Sequence, residues 1–367
     1  MAWRGKPGPC VNALANPRDV LDSLLAQYAD VFAMPRGLPP QRRHDHRIHL
    51  LPGTAPIAVR PYRYPQLLKD ELERQCEDML AQGIIRESTS PFSSPVLLVK
   101  KPDETWRFCV DYRALNEHTV KDKFPIPVSD ELFDELKGAR FFSKIDLRSG
   151  YFQVRMHPAD VEKTAFCTHH GHFEFLVMAF GLTNAPSTFQ ALMNDILKPF
   201  LHYFVLVFFD DILIYSASWA EHLQHVKAVL QQLRAHQLFA KQSKCSFGAE
   251  SVAYLGHIVT AQGVSMDPSK IEAVEAWPRP RTVRALRGFL GLTGYYRKFI
   301  ANYGAVAEPL TALLKQEAFR WSDDAERAFL DLKKALSSTP LLQLPDFSKR
   351  FIVDCDAFEA GFGAVLH

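Results

Sequence analysis

Two adjacent carboxylates, Asp210 and Asp211, interrupt the apolar run FVLVFFDDILIYSAS at residues 204–218. Seven apolar or aromatic residues precede them, Tyr203 to Phe209, and four follow, Ile212 to Tyr215. Like charges about 4 Å apart repel by roughly 4 kcal/mol at an effective dielectric near 20. A hairpin turn alone explains the pair poorly, because tight two-residue turns favour Asn-Gly or Asp-Gly. A hard divalent cation such as Mg²⁺ explains it well, since it takes carboxylate oxygens and keeps phosphate oxygens as partners. Asp146 ends the apolar stretch FFSKIDL before a Ser-Gly turn and offers a third acid. By itself it reads as a turn-capping Asp. Three carboxylates on adjacent strand ends could form a two-metal phosphoryl-transfer site.

Strands and helices of suitable pattern surround these acids. SSPVLLVKKPDETWRFCVDYRALN reads as two strands joined by the polar turn KPDET. ARFFSKIDL is a strand, and TAFCTHHGHFEFLVM a hairpin around His170-Gly171. NAPSTFQALMNDILKPFL predicts a helix started by Asn184 and Pro186. A long helix, WAEHLQHVKAVLQQLRAHQL, follows the acid pair, then the hairpin SVAYLGHIVTAQGV. YPQLLKDELERQCEDMLAQGII has helical apolar spacing. Beyond Pro268 the chain is mostly helical through Leu342, and it ends in one strand-like piece, RFIVDCDAFEAGFGAVLH. Residues 1–60, rich in Pro and Arg, read as an extension with one short helix, DVLDSLLAQYADVF. This order suggests an α+β protein rather than a regular βα alternation.

At 367 residues the chain has room for two or three domains. Its net charge of +2 conceals two basic stretches. Trp277 to Lys298 holds six Lys/Arg and no acid, and Pro35 to Arg63 holds six Arg and one acid, Asp45. Such stretches suit a polyanion bound at chosen places, against the commoner reading of solvated faces. Six scattered cysteines without a C-x-x-C pair fit free thiols in a reducing compartment. No signal-peptide core and no apolar run near the roughly 18–20 residues of a membrane span is visible. A soluble intracellular protein is expected. The histidine clusters HHGH (His169, His170, His172) and HDHRIH (His44, His46, His49) invite a zinc reading, but no cysteine sits near either at finger spacing. The first is better read as a turn. WPRPR reads as a linker leading into a helix rather than a Pro-rich ligand.

Five ordered motifs carry a resemblance: KIDLRSGYFQVRMHPADVEKTAF, GHFEFLVMAFGLTNAPSTFQ, FFDDILIYS, VAYLGHIV and FLGLTGYYRKFI. Together they resemble the reverse transcriptases of gypsy-type LTR retrotransposons and their retroviral relatives, over about residues 20–367. The resemblance implies a right-hand polymerase fold with fingers and palm over residues 61–258, thumb over 259–318 and a connection over 319–350. Residues 351–367 would be a truncated RNase H-like fragment, its first strand carrying Asp356, and RNase H activity is not expected.

The resemblance also assigns roles by position. Asp146, Asp210 and Asp211 would bind two Mg²⁺ ions, with Mn²⁺ as a substitute and the carbonyl of Leu147 as an extra ligand. Lys101 and Arg107 fall where the fingers bind the triphosphate of a dNTP. Tyr151 would be the steric gate against a ribose hydroxyl, and Phe180 and Gly181 would lie beside the nascent base pair. Lys244 resembles the basic residue near the leaving pyrophosphate. Tyr254, Leu255, Gly256 and His257 resemble the primer grip, and Arg284 and Arg287 belong to a thumb that holds the duplex by its backbone. The implied function is an RNA- and DNA-directed DNA polymerase, part of a retrotransposon polyprotein, acting on primed RNA or DNA in a cytoplasmic virus-like particle or the nucleus. The alternatives are a decayed nucleic-acid-binding relic and, more weakly, a metal-dependent nuclease. Phe208, Phe209 and Ala179 depart from the usual Tyr, aliphatic and Pro, but none removes a group that the resemblance makes catalytic.

Overall fold

The computed structural model describes residues 16–101, 104–125, 127–315, 319–338, 341–345, 349–350, 352–358 and 361–366. The chain divides into two compact units, one from the residues up to 126 with Ser143–Gly248, the other from Pro127–Phe142 with Ala249 onward.

The first unit begins with helices α1 (Pro17–Gln27) and α2 (Gln66–Ala81) and strands β1 (Ile85–Glu87), β2 (Ser94–Lys100) and β3 (Trp106–Val110). Helix α3 (Arg113–Glu117) follows, and α4 (Ser129–Asp134) belongs to the second unit. Strand β4 (Phe141–Asp146) leads to the hairpin of β5 (Phe166–Cys167) and β6 (His172–Phe175), then to α5 (Ala185–Leu197). Strands β7 (Val205–Phe208) and β8 (Asp211–Ser216), helix α6 (Trp219–Ala235) and strand β9 (Ser246–Ala249) complete it. Two sheets result, a five-stranded one in the order β1-β6-β5-β2-β3 and a four-stranded one in the order β7-β8-β4-β9.

Every residue of β8 from Ile212 to Ser216 is buried, so the strand alternates without reaching water on either face. Helices α5 and α6 pack on β7 and β8, and Phe189, Leu192, Met193, Val226 and Val229 join Val205, Val207, Ile212 and Ile214 in one core. A capping box starts α6: the Ser218 hydroxyl accepts from the Glu221 amide while the Glu221 carboxylate accepts from the Ser218 amide. Asn184 stands at the N-cap of α5, but its side chain makes no cap bond. It instead accepts from the Asp122 amide and donates to the Val120 carbonyl, fastening a distant loop.

Residues 16–60 are more than an extension. Leu21, Leu24, Tyr28, Val31, Phe32 and Ile48 are buried in the first unit's core. Three of the six arginines between Pro35 and Arg63 are turned to internal partners. Arg42 donates to the carbonyls of Gln153 and His236 at 2.6 Å each, Arg47 meets the buried Asp160 at 2.9 Å, and Arg43 pairs with Asp195.

In the second unit, SVAYLGHIVTAQGV forms more than the expected hairpin. Strands β10 (Ser251–Tyr254), β11 (His257–Thr260) and β12 (Gly263–Met266) make a three-stranded antiparallel meander. Helices α7 (Pro268–Glu275), α8 (Val283–Tyr295), α9 (Tyr303–Leu313) and α10 (Asp323–Ser337) follow. The WPRPR segment lies between α7 and α8, as a linker should. The expected single terminal strand is corrected to two, β13 (Val353–Phe358) and β14 (Gly361–Leu366), paired antiparallel from Val353↔Leu366 to Phe358↔Gly361. Each strand thereby pairs one of its two edges with the other. Asp356 stands opposite Gly363 in that ladder. Residues 359 and 360, like 351 and 367, lie outside the described residues.

Two fully buried histidines tie the first unit together. His46 Nδ1 lies 2.8 Å from Thr188 Oγ1. His222 bridges Ser143 Oγ on β4 at 2.7 Å and Ser216 Oγ on β8 at 2.9 Å, and Ser143 also accepts from the Gly248 amide of β9. Burial lowers the pKa of each histidine to about 4, against an ordinary 6.5. Between those values the unfolded chain binds protons that the folded chain does not, so stability falls as pH drops from about 6.5 toward 4. The urea midpoint should be lower at pH 5 than at pH 7.5, with a smaller drop in His46→Gln. A midpoint flat across this range would contradict the assignment.

Candidate active site

The acid pair occupies the β7–β8 hairpin. Phe208 pairs with Asp211, so the two turn residues are Phe209 and Asp210 rather than the two acids. Phe209 takes a φ of 52°, a left-handed conformation unfavourable for a bulky residue. A buried glutamine on α5 holds it there. Gln190 Oε1 accepts from the Phe209 amide at 2.8 Å, while its Nε2 donates to the Val207 carbonyl at 3.2 Å and to Asn194 Oδ1 at 2.8 Å.

The neighbouring strand β4 ends at Asp146, and the Leu147 amide donates to the Asp210 carbonyl at 3.4 Å. All three acids are half-buried. Burial raises the pKa of the Asp210 carboxyl, and the charges of Asp211 and Asp146 push it the same way. Its own amide and Lys244 pull against them. Lys144 Nζ sits 3.0 Å from Asp211 Oδ1, and Lys244 Nζ sits 3.4 Å from Asp146 Oδ2. Residues 146–148 are pinned from the far side by bonds from Lys241 N to Asp146 O and from Arg148 N to Phe239 O. That bridge does not use the Leu147 carbonyl. Oxygen donors crowded this closely, with one carboxyl already pushed toward its neutral form, suit a hard divalent cation.

Aromatic rings line the approach. Tyr151 stacks on Phe180 with centroids 4.7 Å apart, and Phe180 is 44% exposed. Burial, with the Asp210 charge adding to it, raises the Tyr151 phenol to about 12, so it stays protonated. A Cβ on Gly150 would meet Phe189 Cζ at 2.9 Å and Asp210 Cβ at 3.4 Å, so only glycine lets the backbone pass this close. Gly181 adopts a φ of 94°, and Asn116 clamps its loop by donating to the Gly181 carbonyl and accepting from the Thr183 amide. Arg107 lies on β3 of the five-stranded sheet, and Lys101 directly follows β2. Arg107 pairs with Val99, two residues before Lys101, so both cations belong to one face. Among the described residues neither makes an ion pair.

The second unit carries the remaining sequence-predicted residues. Leu255 and Gly256 are the turn between β10 and β11, with φ of 48° and 74°. The Tyr295 hydroxyl donates to the Leu255 carbonyl and the Tyr296 hydroxyl to the Gly256 carbonyl, each at 2.9 Å. His257 is buried among Phe133, Tyr295, Tyr296 and Phe299. Arg284 and Arg287 are exposed on α8, away from its buried Leu286 and Phe289.

Residues 99–259 match the family of reverse transcriptases (RNA-dependent DNA polymerases), and residues 321–367 match an RNase H-like domain found in reverse transcriptase. The latter match reaches back over α10. The fold is that of foamy viral protease-reverse transcriptase. The structure of that protein in complex with an RNA/DNA hybrid superposes with a TM-score of 0.81 at 23% identity, covering 97% of this chain and 50% of the viral one. The structure with dsDNA gives 0.82 at 24%, covering 95% and 73%. Fold and sequence thus define the class: the chain carries a reverse transcriptase domain and an RNase H-like domain found in reverse transcriptase, with the right-hand polymerase fold.

Within that class its relatives are retrotransposon polyproteins. The retrovirus-related Pol polyprotein from transposon 297 of Drosophila melanogaster is 44% identical over 327 residues, 87% of this chain and 31% of the relative. That from transposon opus of the same fly is 36% identical, covering 95% and 36%. The Tf2-3 polyprotein of Schizosaccharomyces pombe is 35% identical, covering 88% and 24%. The chain spans about a third of the length of the first two relatives.

Gln190, Lys144 and Asn116 escaped sequence reasoning. The one available signal was a polar residue on an otherwise buried helix face, as Gln190 is between Phe189 and Met193. Gln190→Leu should leave the Phe209 amide without its buried acceptor and destabilise the first unit by about 1–3 kcal/mol. Chemical denaturation measures this, and an unchanged midpoint would show that the turn holds itself.

Proposed function

We propose that this chain is the polymerase portion of a retrotransposon polyprotein, an intracellular RNA- and DNA-directed DNA polymerase. It extends a primer 3′-OH with dNTPs on an RNA or DNA template. The observation that carries the reading is the convergence of Asp146, Asp210 and Asp211 at neighbouring strand ends, with the Asp210 carboxyl raised by burial and by its two neighbours. Fingers and palm would occupy residues 61–258 and the thumb 259–318.

Asp146 and Asp210 would hold two Mg²⁺ ions, with Asp211 and the Leu147 carbonyl as further oxygen ligands. When bound, the ions supply activation of the primer hydroxyl and charge stabilisation for the departing pyrophosphate. The 3′-OH attacks the α-phosphate, the bond to pyrophosphate breaks, and the chain grows by one nucleotide. Lys101 and Arg107 bind the triphosphate, the one as a point charge and the other as a planar fork. Lys244, already beside Asp146, balances charge near the leaving group. Tyr151 presents its ring to the sugar, with Phe180 and Gly181 beside the new base pair. The turn Tyr254–His257 grips the primer, and Arg284 and Arg287 hold the duplex through its phosphates, independent of sequence.

Primer extension on poly-rA and poly-dA templates with Mg²⁺ or Mn²⁺ tests the whole reading. Wild type should extend on both, and Asp210→Asn should reduce extension to a trace. That variant also removes a carboxylate whose raised pKa weakens the apo fold as pH rises above the ordinary carboxylate range. Its denaturation midpoint at neutral pH should therefore equal or exceed wild type. Normal folding with full extension would remove Asp210 from the chemistry. An inactive wild type with intact duplex binding would favour a decayed relic.

Tyr151→Ala should open space beside the sugar and raise ribonucleotide incorporation relative to dNTPs, because exclusion by a clash is lost with the ring. The ratio of kcat/KM values for rNTP and dNTP reads this directly. An unchanged ratio would place the gate on another side chain.

A further inference from the structure

The HHGH motif has a use that a turn does not exhaust. Residues Thr168 to Gly171 connect β5 to β6, and the loop is closed by the Thr168 amide donating to the Gly171 carbonyl at 2.9 Å. His172 Nε2 lies 3.0 Å from the Phe92 carbonyl and is already employed. His169 and His170 instead meet Glu73, which α2 presents from the side. Donor atoms of Glu73, His169 and His170 all lie within 4.8 Å of one another. In the second cluster, His46 is buried against Thr188 and His44 stands 3.9 Å from Asp195, so HDHRIH forms no comparable set.

We propose that Glu73, His169 and His170 form a binding site for a borderline divalent metal of the Zn²⁺ class, stapling α2 to the β5–β6 hairpin. Two imidazoles and a carboxylate are a donor set that zinc accepts, with water as the fourth ligand. Tetrahedral zinc bonds of about 2.0–2.1 Å separate donor atoms by about 3.4 Å. His169 Nε2 and Glu73 Oε1, now 2.6 Å apart, would open slightly as the cation takes the place of the proton between them. Glu73 is only half-buried and both histidines are exposed, so rotamer changes suffice and water can reach the fourth position.

A supporting shell orients one of the ligands. Thr168 Oγ1 lies 3.0 Å from His170 Nδ1 and 3.4 Å from the Gly171 carbonyl. If the hydroxyl donates to that carbonyl, it accepts from Nδ1–H. This tautomer leaves the Nε2 lone pair of His170 for the metal, the arrangement usual for ligating histidines. The His170 ring also lies 5.5 Å from the Phe173 ring, which folds over the loop because Gly171 has no Cβ: one there would meet Phe173 Cζ at 2.6 Å. The site differs in chemistry from the all-oxygen carboxylate cluster, which suits Mg²⁺.

The test uses the full chain without an affinity tag, stripped with a chelator and titrated with Zn²⁺ against a metal-indicator dye in excess Mg²⁺. One Zn²⁺ per chain should bind, and Co²⁺ in its place should give the visible absorption of a tetrahedral site. Glu73→Gln combined with His170→Asn should abolish this binding, while Asp210→Asn should leave it unchanged. Thr168→Val should weaken it about tenfold. Zn²⁺ binding of equal affinity in the Glu73/His170 double variant would overturn the proposal. So would a wild-type chain that fails to compete with the dye. His170 is exposed and Glu73 half-buried, whereas Thr168 is buried and Asp210 half-buried, so circular dichroism of each apo variant checks that its fold is kept.

Discussion

Three carboxylates held at the ends of two neighbouring strands repel one another, and the first unit is built to oppose that repulsion. Asp210 feels both neighbours, and burial denies it the solvation that would make the crowding tolerable. The opposing forces are partly electrostatic, from Lys144 on Asp211 and Lys244 on Asp146. They are mostly mechanical. Strand β8 is buried on both faces, α5 and α6 cover the sheet, and the His222 network joins β4 and β8 through a helix. A sheet so anchored cannot relax by letting one acid swing away, which is the rigidity a preorganised cation site needs.

Each unit contains a two-residue hairpin turn with a bulky residue at positive φ, and each turn is held from outside. Phe209 is fixed by Gln190 of α5, and Leu255 with Gly256 by the hydroxyls of Tyr295 and Tyr296. Backbone strain of this kind persists only when surrounding bonds overdetermine it. The same residues that restrain the turns therefore set where the Asp210 carboxylate and the Leu255–Gly256 carbonyls point.

Positive charge divides into two populations. Arg42 and Arg47 are committed to internal carbonyls and to the buried Asp160. Lys101, Arg107, Arg284 and Arg287 make no ion pair among the described residues, and the last two are exposed on α8. Composition counts both populations alike. Only the tertiary partners distinguish a guanidinium bonded inside the fold from one that is not.

The sequence by itself determined the elements and the order of the acids. Apolar runs such as FFSKID and VLVFFDDILIYS, and the capped apolar periodicity of α6, depend on neighbours in the chain, and they are where expected. The α+β class followed from their order. The terminal hairpin, the third strand after Thr260 and the burial of residues 21–48 did not, because each depends on a surface supplied by another segment. Gln190, Lys144, Asn116 and the Glu73–His169 contact were invisible for the same reason. The partners that hold them across the fold lie from 17 to 96 residues away, and no local pattern records a bond to so distant a group. Spacing along the chain fixes which residues share a strand or a helix face. Which of those faces meet, and so which polar groups find each other, was decided only when the core closed.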